Sequence, residues 1–199
     1  MQKRFSYWLL FLAVLFSGCT EKKSQTTQSI KTNPKSAQTF FPVTEYINGQ
    51  LSEVESLPVT PLKIVTQNGK SDSTWMKKEN IREFAKPFLY PEIDTANFKE
   101  LFVQKSFLDQ TINAFTFSYD PIDKLPDTLQ LRRWDVYIDP KKNTIKRIYL
   151  IKEINNNGIL QTLQLTWKSN QWCKITYLTE QAGKPPQIKE ELMKWDFNE

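Results

Sequence analysis

The sequence predicts an α+β domain, with early helices and a short hairpin packed on a C-terminal antiparallel meander of about six strands. Three observations predict it. Between Pro42 and Phe102 apolar residues recur at helical spacing in three segments, broken once by a hairpin pattern. After Asn113 the apolar period shortens to alternate residues. Short polar connections then divide the second half into neighbouring strands, as an antiparallel meander requires.

In order, Pro42 presets the first turn of a helix over 42–55, in which Val43, Tyr46, Ile47 and Leu51 share a face. Pro58 and Pro61 end it. Leu62–Thr66 and Thr74–Met76 flank Asn68-Gly69, a pair that accepts the positive backbone angles of a tight hairpin turn. Ile81, Phe84, Ala85, Phe88 and Leu89 form a stripe at i, i+3, i+4, i+7 and i+8, predicting a second helix that stops before Pro91. Asp94 or Thr95 can cap a third helix carrying Phe98, Leu101 and Phe102.

Phe115, Phe117 and Tyr119 alternate with Thr116 and Ser118, the pattern of a strand with one buried face. The alternation continues in 129–138, 145–154, 160–168, 172–179 and 189–197. The expected core face carries Trp134, Val136, Ile138, Ile148, Leu150, Leu163, Leu165, Trp167, Cys173, Ile175, Tyr177, Met193, Trp195 and Phe197, with the early helices over it. In element order alone this arrangement resembles the NTF2-like fold and, more distantly, a lipocalin-type barrel. The resemblance implies a pocket between helices and sheet.

Composition narrows the function. Histidine is absent from the 199 residues, which removes the commonest general base, the commonest zinc ligand and every histidine-based triad. No glycine-rich phosphate loop, nucleophile elbow or paired-carboxylate motif is present. The acids Asp120, Asp123 and Asp127 lack the alternate spacing and terminal Glu of a calcium loop, and read as turn residues. No catalytic residue, metal or cofactor is expected. The net charge of +5 includes Lys3 and Arg4 at the extreme N-terminus, so it is too mild and too evenly spread for nucleic-acid binding.

The N-terminus says where the chain goes. Lys3 and Arg4 precede an apolar run from Tyr7 to Phe16, and Ser17-Gly18-Cys19 closes it with two small residues and a cysteine. The run is ten residues long, about half of what a bilayer-spanning helix needs, so a secretory signal peptide over 1–18 is expected. Leu15-Phe16-Ser17-Gly18-Cys19 resembles the lipobox of bacterial lipoproteins, departing from it at Phe16, where the pattern prefers Leu, Val or Ile. The resemblance implies that Cys19 carries a thioether-linked diacylglycerol and usually an N-acyl chain, such as palmitate. Two or three acyl chains, at about 0.8 kcal/mol per buried methylene, hold a protein stably on a membrane. Thr20, where an Asp would favour inner-membrane retention, implies the outer membrane. Glu21-Lys22-Lys23 is a poor version of the acidic export tag of some Bacteroidota lipoproteins, so the periplasmic face is expected.

The chain thus divides into a leader (1–18), lipidated Cys19 with a polar tether to residue 40, and a single α+β domain over 41–199. A coil of the tether's length spans roughly 25 Å on average. With Cys19 alkylated, Cys173 has no disulfide partner and reads as a structural thiol. The function expected is a lipid-anchored cell-envelope protein with a non-catalytic binding or assembly domain and an envelope protein as partner. The alternative is a small-ligand carrier or an NTF2-like enzyme using a pocket between helices and sheet.

One surface is singled out for binding. Matching the core stripes of 129–138 and 145–154 pairs Val136 with Ile148 and Trp134 with Leu150. That register puts Tyr137 opposite Arg147 and Asp135 opposite Tyr149, with Arg133 and Ile151 alongside, on the face away from the core. Tyr and Arg are the residue types in which interfaces concentrate their energy, so Arg133, Asp135, Tyr137, Arg147 and Tyr149 are the candidate partner-binding residues. The plainer reading is cross-strand support of an exposed sheet.

Overall fold

A computed structural model describes residues 39–198. One antiparallel sheet of nine strands dominates it, in the order β2-β1-β9-β8-β7-β6-β5-β4-β3. The strands are β1 (Leu62–Gln67), β2 (Lys70–Trp75), β3 (Phe102–Asp109), β4 (Ala114–Pro121), β5 (Leu131–Ile138), β6 (Ile145–Asn156), β7 (Ile159–Lys168), β8 (Trp172–Gln181) and β9 (Gln187–Lys194). Among the described residues three α-helices accompany them, α1 (Val43–Ser56), α2 (Ile81–Leu89) and α3 (Thr95–Phe98), with a single 3-10 turn (Lys78–Asn80) leading into α2.

This overturns the expected α+β layering with a six-stranded meander. Strand makes up 48% of the described residues and helix 19%. Two causes account for the difference. The hairpin β1-β2 is not a separate unit, because β1 pairs along its length with β9, from Leu62 opposite Lys194 to Gln67 opposite Lys189. The third helix also ends after a single turn at Phe98, capped by Asp94, whose carboxylate accepts from the Asn97 N–H at 2.7 Å. Phe102 then opens β3, a strand absent from the expected set.

Two aromatic groups anchor the core on the helix-bearing face. Trp134 stacks on Tyr119 at 4.5 Å and meets Phe102 edge-on at 4.7 Å. Trp167 meets Phe88 of α2 edge-on at 5.4 Å and Trp195 at 5.5 Å. Around them Val136, Ile148, Leu150, Leu165 and Cys173 lose all exposure. The described core residues, from Phe40 to Trp195, form one hydrophobic cluster. Three expected core residues depart from it. Ile138 and Tyr177 are half-buried at the margin, and Phe197, past the end of β9, is 46% exposed and rests against Trp75.

The strand β4 is also not buried on one face only. Phe115 and Phe117 keep partial exposure, whereas Thr116 and Ser118 on the opposite face are covered. Cross-strand neighbours cover them: Thr116 lies between Phe107 and Tyr137, and Ser118 between Lys105 and Asp135.

Candidate functional site

The expected register of β5 on β6 is present: Trp134 faces Leu150, Val136 faces Ile148, Asp135 faces Tyr149, Tyr137 faces Arg147 and Arg133 faces Ile151. Irregularities at Leu131/Arg133 and Tyr137/Ile138 bracket this stretch. Because alternate residues point to opposite faces, the buried Trp134-Val136 stripe forces Asp135 and Tyr137 outward.

Asp135 organises the outward side chains. Its carboxylate is only 4% exposed. One oxygen accepts from Arg133 Nε and Nη2 at 3.3 and 3.1 Å, and the other accepts from the Tyr137 hydroxyl at 3.4 Å. Arg133 also lies 3.6 Å from Asp120, whose second oxygen accepts from Lys105 Nζ at 2.9 Å. The Arg147 guanidinium sits 4.2 Å from the centroid of the Tyr137 ring, within cation–π range. Arg133, Asp135, Tyr137 and Arg147 are thus joined in one network. Tyr149 lies opposite Asp135 and enters the network only through its electrostatics.

Protonation in this network is fixed at neutral pH. Burial raises the pKa of Tyr137, and the Asp135 charge adds to the rise while Arg147 opposes it. Burial and Asp135 raise Tyr149 in the same way. Burial alone would lower Arg133, but Asp135 and Asp120 turn the shift upward. Both phenols stay protonated and the guanidinium stays charged. The cluster is therefore suited to recognition by a fixed pattern of charge and aromatic surface rather than to proton transfer.

The same row continues across the whole sheet. Hydrogen-bonded register links Phe107, Thr116, Tyr137, Arg147, Lys168, Trp172, Lys194, Leu62 and Trp75, one from each strand. Lys168 lies 5.8 Å from the Trp172 ring, and Lys194 lies 5.9 Å from that of Phe197. Sequence reasoning found only the β5-β6 part of this row. Extending the register through the meander would have reached Lys168 and Trp172, but Lys194 meets Leu62 only through the β1-β9 pairing.

A second feature had no local sequence signal. A cleft of about 620 Å³ opens between α2 and the sheet, lined by Phe84 and Pro87 of α2, Trp75 and Met76, and Lys63, Tyr177 and Glu191 from three strands. Glu191 lies 3.4 Å from Lys63 and 2.6 Å from Lys189. Burial alone would raise its carboxyl pKa, but the two lysines hold it low. Tyr177 is pushed up by burial and by Glu191. Among the described residues no group of three or more His, Cys, Asp or Glu is placed to hold a metal ion. Asp120 pairs with Lys105 and Arg133.

Cys19 and the signal peptide expected over 1–18 lie outside the described residues. Among the described residues no helix is long and apolar enough to cross a membrane. No family model, curated protein or solved structure matches this chain.

Proposed function

We propose that this chain is a bacterial lipoprotein anchored through Cys19 to the periplasmic face of the outer membrane, with a non-catalytic domain that binds an envelope component across the outer face of its sheet. The observation that carries the binding assignment is the Arg133-Asp135-Tyr137-Arg147 network. It immobilises an aromatic ring and a guanidinium on a face that the helices leave uncovered. Side chains already held in place lose little entropy on binding, which favours their use as anchors.

Two experiments test the two halves. Changing Cys19→Ser should move the protein from the membrane to the soluble fraction, and unchanged sedimentation with membranes would remove the anchor from the reading. Tyr137→Ala with Arg147→Ala, in 39–199, should abolish capture of envelope components while leaving the thermal melt unchanged. A lowered melt with capture intact would show that these side chains only support the sheet. The second reading, a small-ligand carrier, is favoured by the cleft under α2, where apolar Phe84 and Trp75 meet Lys63, Glu191 and Tyr177.

A further inference from the structure

The cleft under α2 does not end at the helix. Tyr177, which lines it, also lines a second hollow of about 270 Å³. Strand residues alone wall that hollow: Gln67 of β1, Gln187 and Lys189 of β9, Thr179 of β8 and Gln161 of β7. Register puts Lys189 between Gln67 and Tyr177, and Thr179 between Gln187 and Gln161. These residues share the parity of buried Trp167, Cys173 and Met193, so both hollows open on the helix-bearing face. Along β8 the lining runs from the Cys173 row, which holds Lys63 and Met193, to the Thr179 row. At about 3.4 Å per residue that is roughly 20 Å, the reach of a short linear molecule rather than of one small ring.

The charges along this groove are already matched. Glu191 lies 3.4 Å from Lys63 and 2.6 Å from Lys189, Lys77 pairs with Glu79 at 3.7 Å, and Glu83 pairs with Lys86 at 2.5 Å. On β2 the same face adds one charge of each sign, Lys70 and Asp72. A charged ligand would have to compete with these pairs. The neutral polar groups are the ones left over. The Tyr177 hydroxyl and the side-chain amides of Gln67 and Gln187 have no hydrogen-bond partner among the described residues, and Gln161 Nε2 donates to Thr179 Oγ1 at a long 3.4 Å. Amides and hydroxyls both donate and accept, whereas the Glu191 carboxylate, kept ionised by its lysines, only accepts.

We propose that the two hollows form one groove that binds a neutral oligosaccharide, with Tyr177 at the junction. The inference rests on the second reading above, in which the cleft takes a ligand, and names the class of that ligand; the outer-face reading does not bear on it. Sugar hydroxyls are uncharged and present donors and acceptors close together, which matches a lining of amides, hydroxyls and one paired carboxylate. The Tyr177 ring gives the C–H face of a sugar an apolar body to rest on and a hydroxyl to bond. An acyl chain would leave these polar groups unpaired, at a cost to affinity.

The test is titration calorimetry of the full chain, in a detergent without a sugar headgroup, against chitotetraose, cellotetraose and tetragalacturonate. At least one neutral tetramer should bind with Kd at or below about 1 mM, and the acidic one more weakly. Chitotetraose alone would place an N-acetylated sugar in the groove, and both neutral tetramers a sugar read by its hydroxyls. Tyr177→Ala should weaken binding at least tenfold, and so should Gln161→Ala with Gln187→Ala, whose side chains lie outside the core and leave the melt unchanged. Preference for tetragalacturonate, or binding that survives both variants, overturns the proposal. So does loss in Tyr137→Ala with Arg147→Ala alone, which would move the sugar to the outer face. If no tetramer binds while indole does, and Tyr177→Ala abolishes the indole signal, the cleft stays a small-ligand site and the oligosaccharide is ruled out.

Discussion

Two buried residues show how position and residue type can conflict or agree. Lys152 is 2% exposed on the core face, and its ammonium donates to the carbonyl oxygens of Pro87 and Tyr90 at the end of α2. A cation there satisfies carbonyls that the helix leaves without partners. Burial nevertheless lowers its pKa to about 8, against roughly 10.4 for a free lysine. Between those values the unfolded chain binds more protons than the folded one. The penalty for burying the charge is therefore fully present below the folded pKa and is relieved as pH rises toward the unfolded one. Relative to Lys152→Met, the wild-type chain should gain about 2 kcal/mol of stability between pH 7.5 and 9.5. Urea titrations of both proteins at the two pH values check this, and a constant gap would place the ammonium in solvent. Cys173 shows the opposite case of type and position agreeing. The sequence places it on the core stripe, and the structure buries it fully, with the thiol pKa pushed well up by desolvation.

At the scale of elements, legibility followed locality. The second helix was readable because Ile81, Phe84, Ala85 and Phe88 form its buried stripe within one short segment. Its attachment to the sheet runs through Phe88 against Trp167. Phe88→Ala should cost about 3–5 kcal/mol, with the loss read from a denaturant midpoint. Exposed Glu83→Ala should stay within about 0.5 kcal/mol. Equal effects would mean that α2 is not docked as described. The strand β3 was not readable because its pattern is inverted. Val103 and Phe107 face outward, while Gln104 and Ser106 share the inward side with Phe102. At the sheet edge, where one strand has a single neighbour, that inversion is tolerated, and the Phe98-Leu101-Phe102 spacing imitates a helix.

For the whole molecule, the pairing of β1 with β9 joins the start of the domain to its end. The hairpin cannot melt alone without stripping β9 of a neighbour, so unfolding should be one cooperative event. Tryptophan fluorescence, which reports Trp134 and Trp167 in the core and Trp75 on the hairpin, should share its midpoint with far-UV circular dichroism. Separate transitions would show the hairpin to be a detachable unit. The charged β2, whose residues are all exposed, ends the sheet with Lys70 and Asp72, a composition that discourages further strand addition.

The sequence by itself located segments of eight of the nine strands with their turns, the β5-β6 register and the identity of most core residues. Each of these depends on side-chain period and on turn residues a few positions apart. The outward placement of Arg133, Asp135, Tyr137, Arg147 and Tyr149 followed from the same parity. Only the tertiary structure decided that the hairpin extends the meander into one sheet, that β3 adds its far edge, and that Lys194 and Trp75 complete a row begun by Tyr137 and Arg147. Those outcomes depend on hydrogen bonds between segments far apart in the chain, where backbone groups pair whatever their side chains, so no local pattern encodes them. The cleft of Lys63, Tyr177 and Glu191 has the same origin, since three strands and a helix meet there only after the sheet has formed.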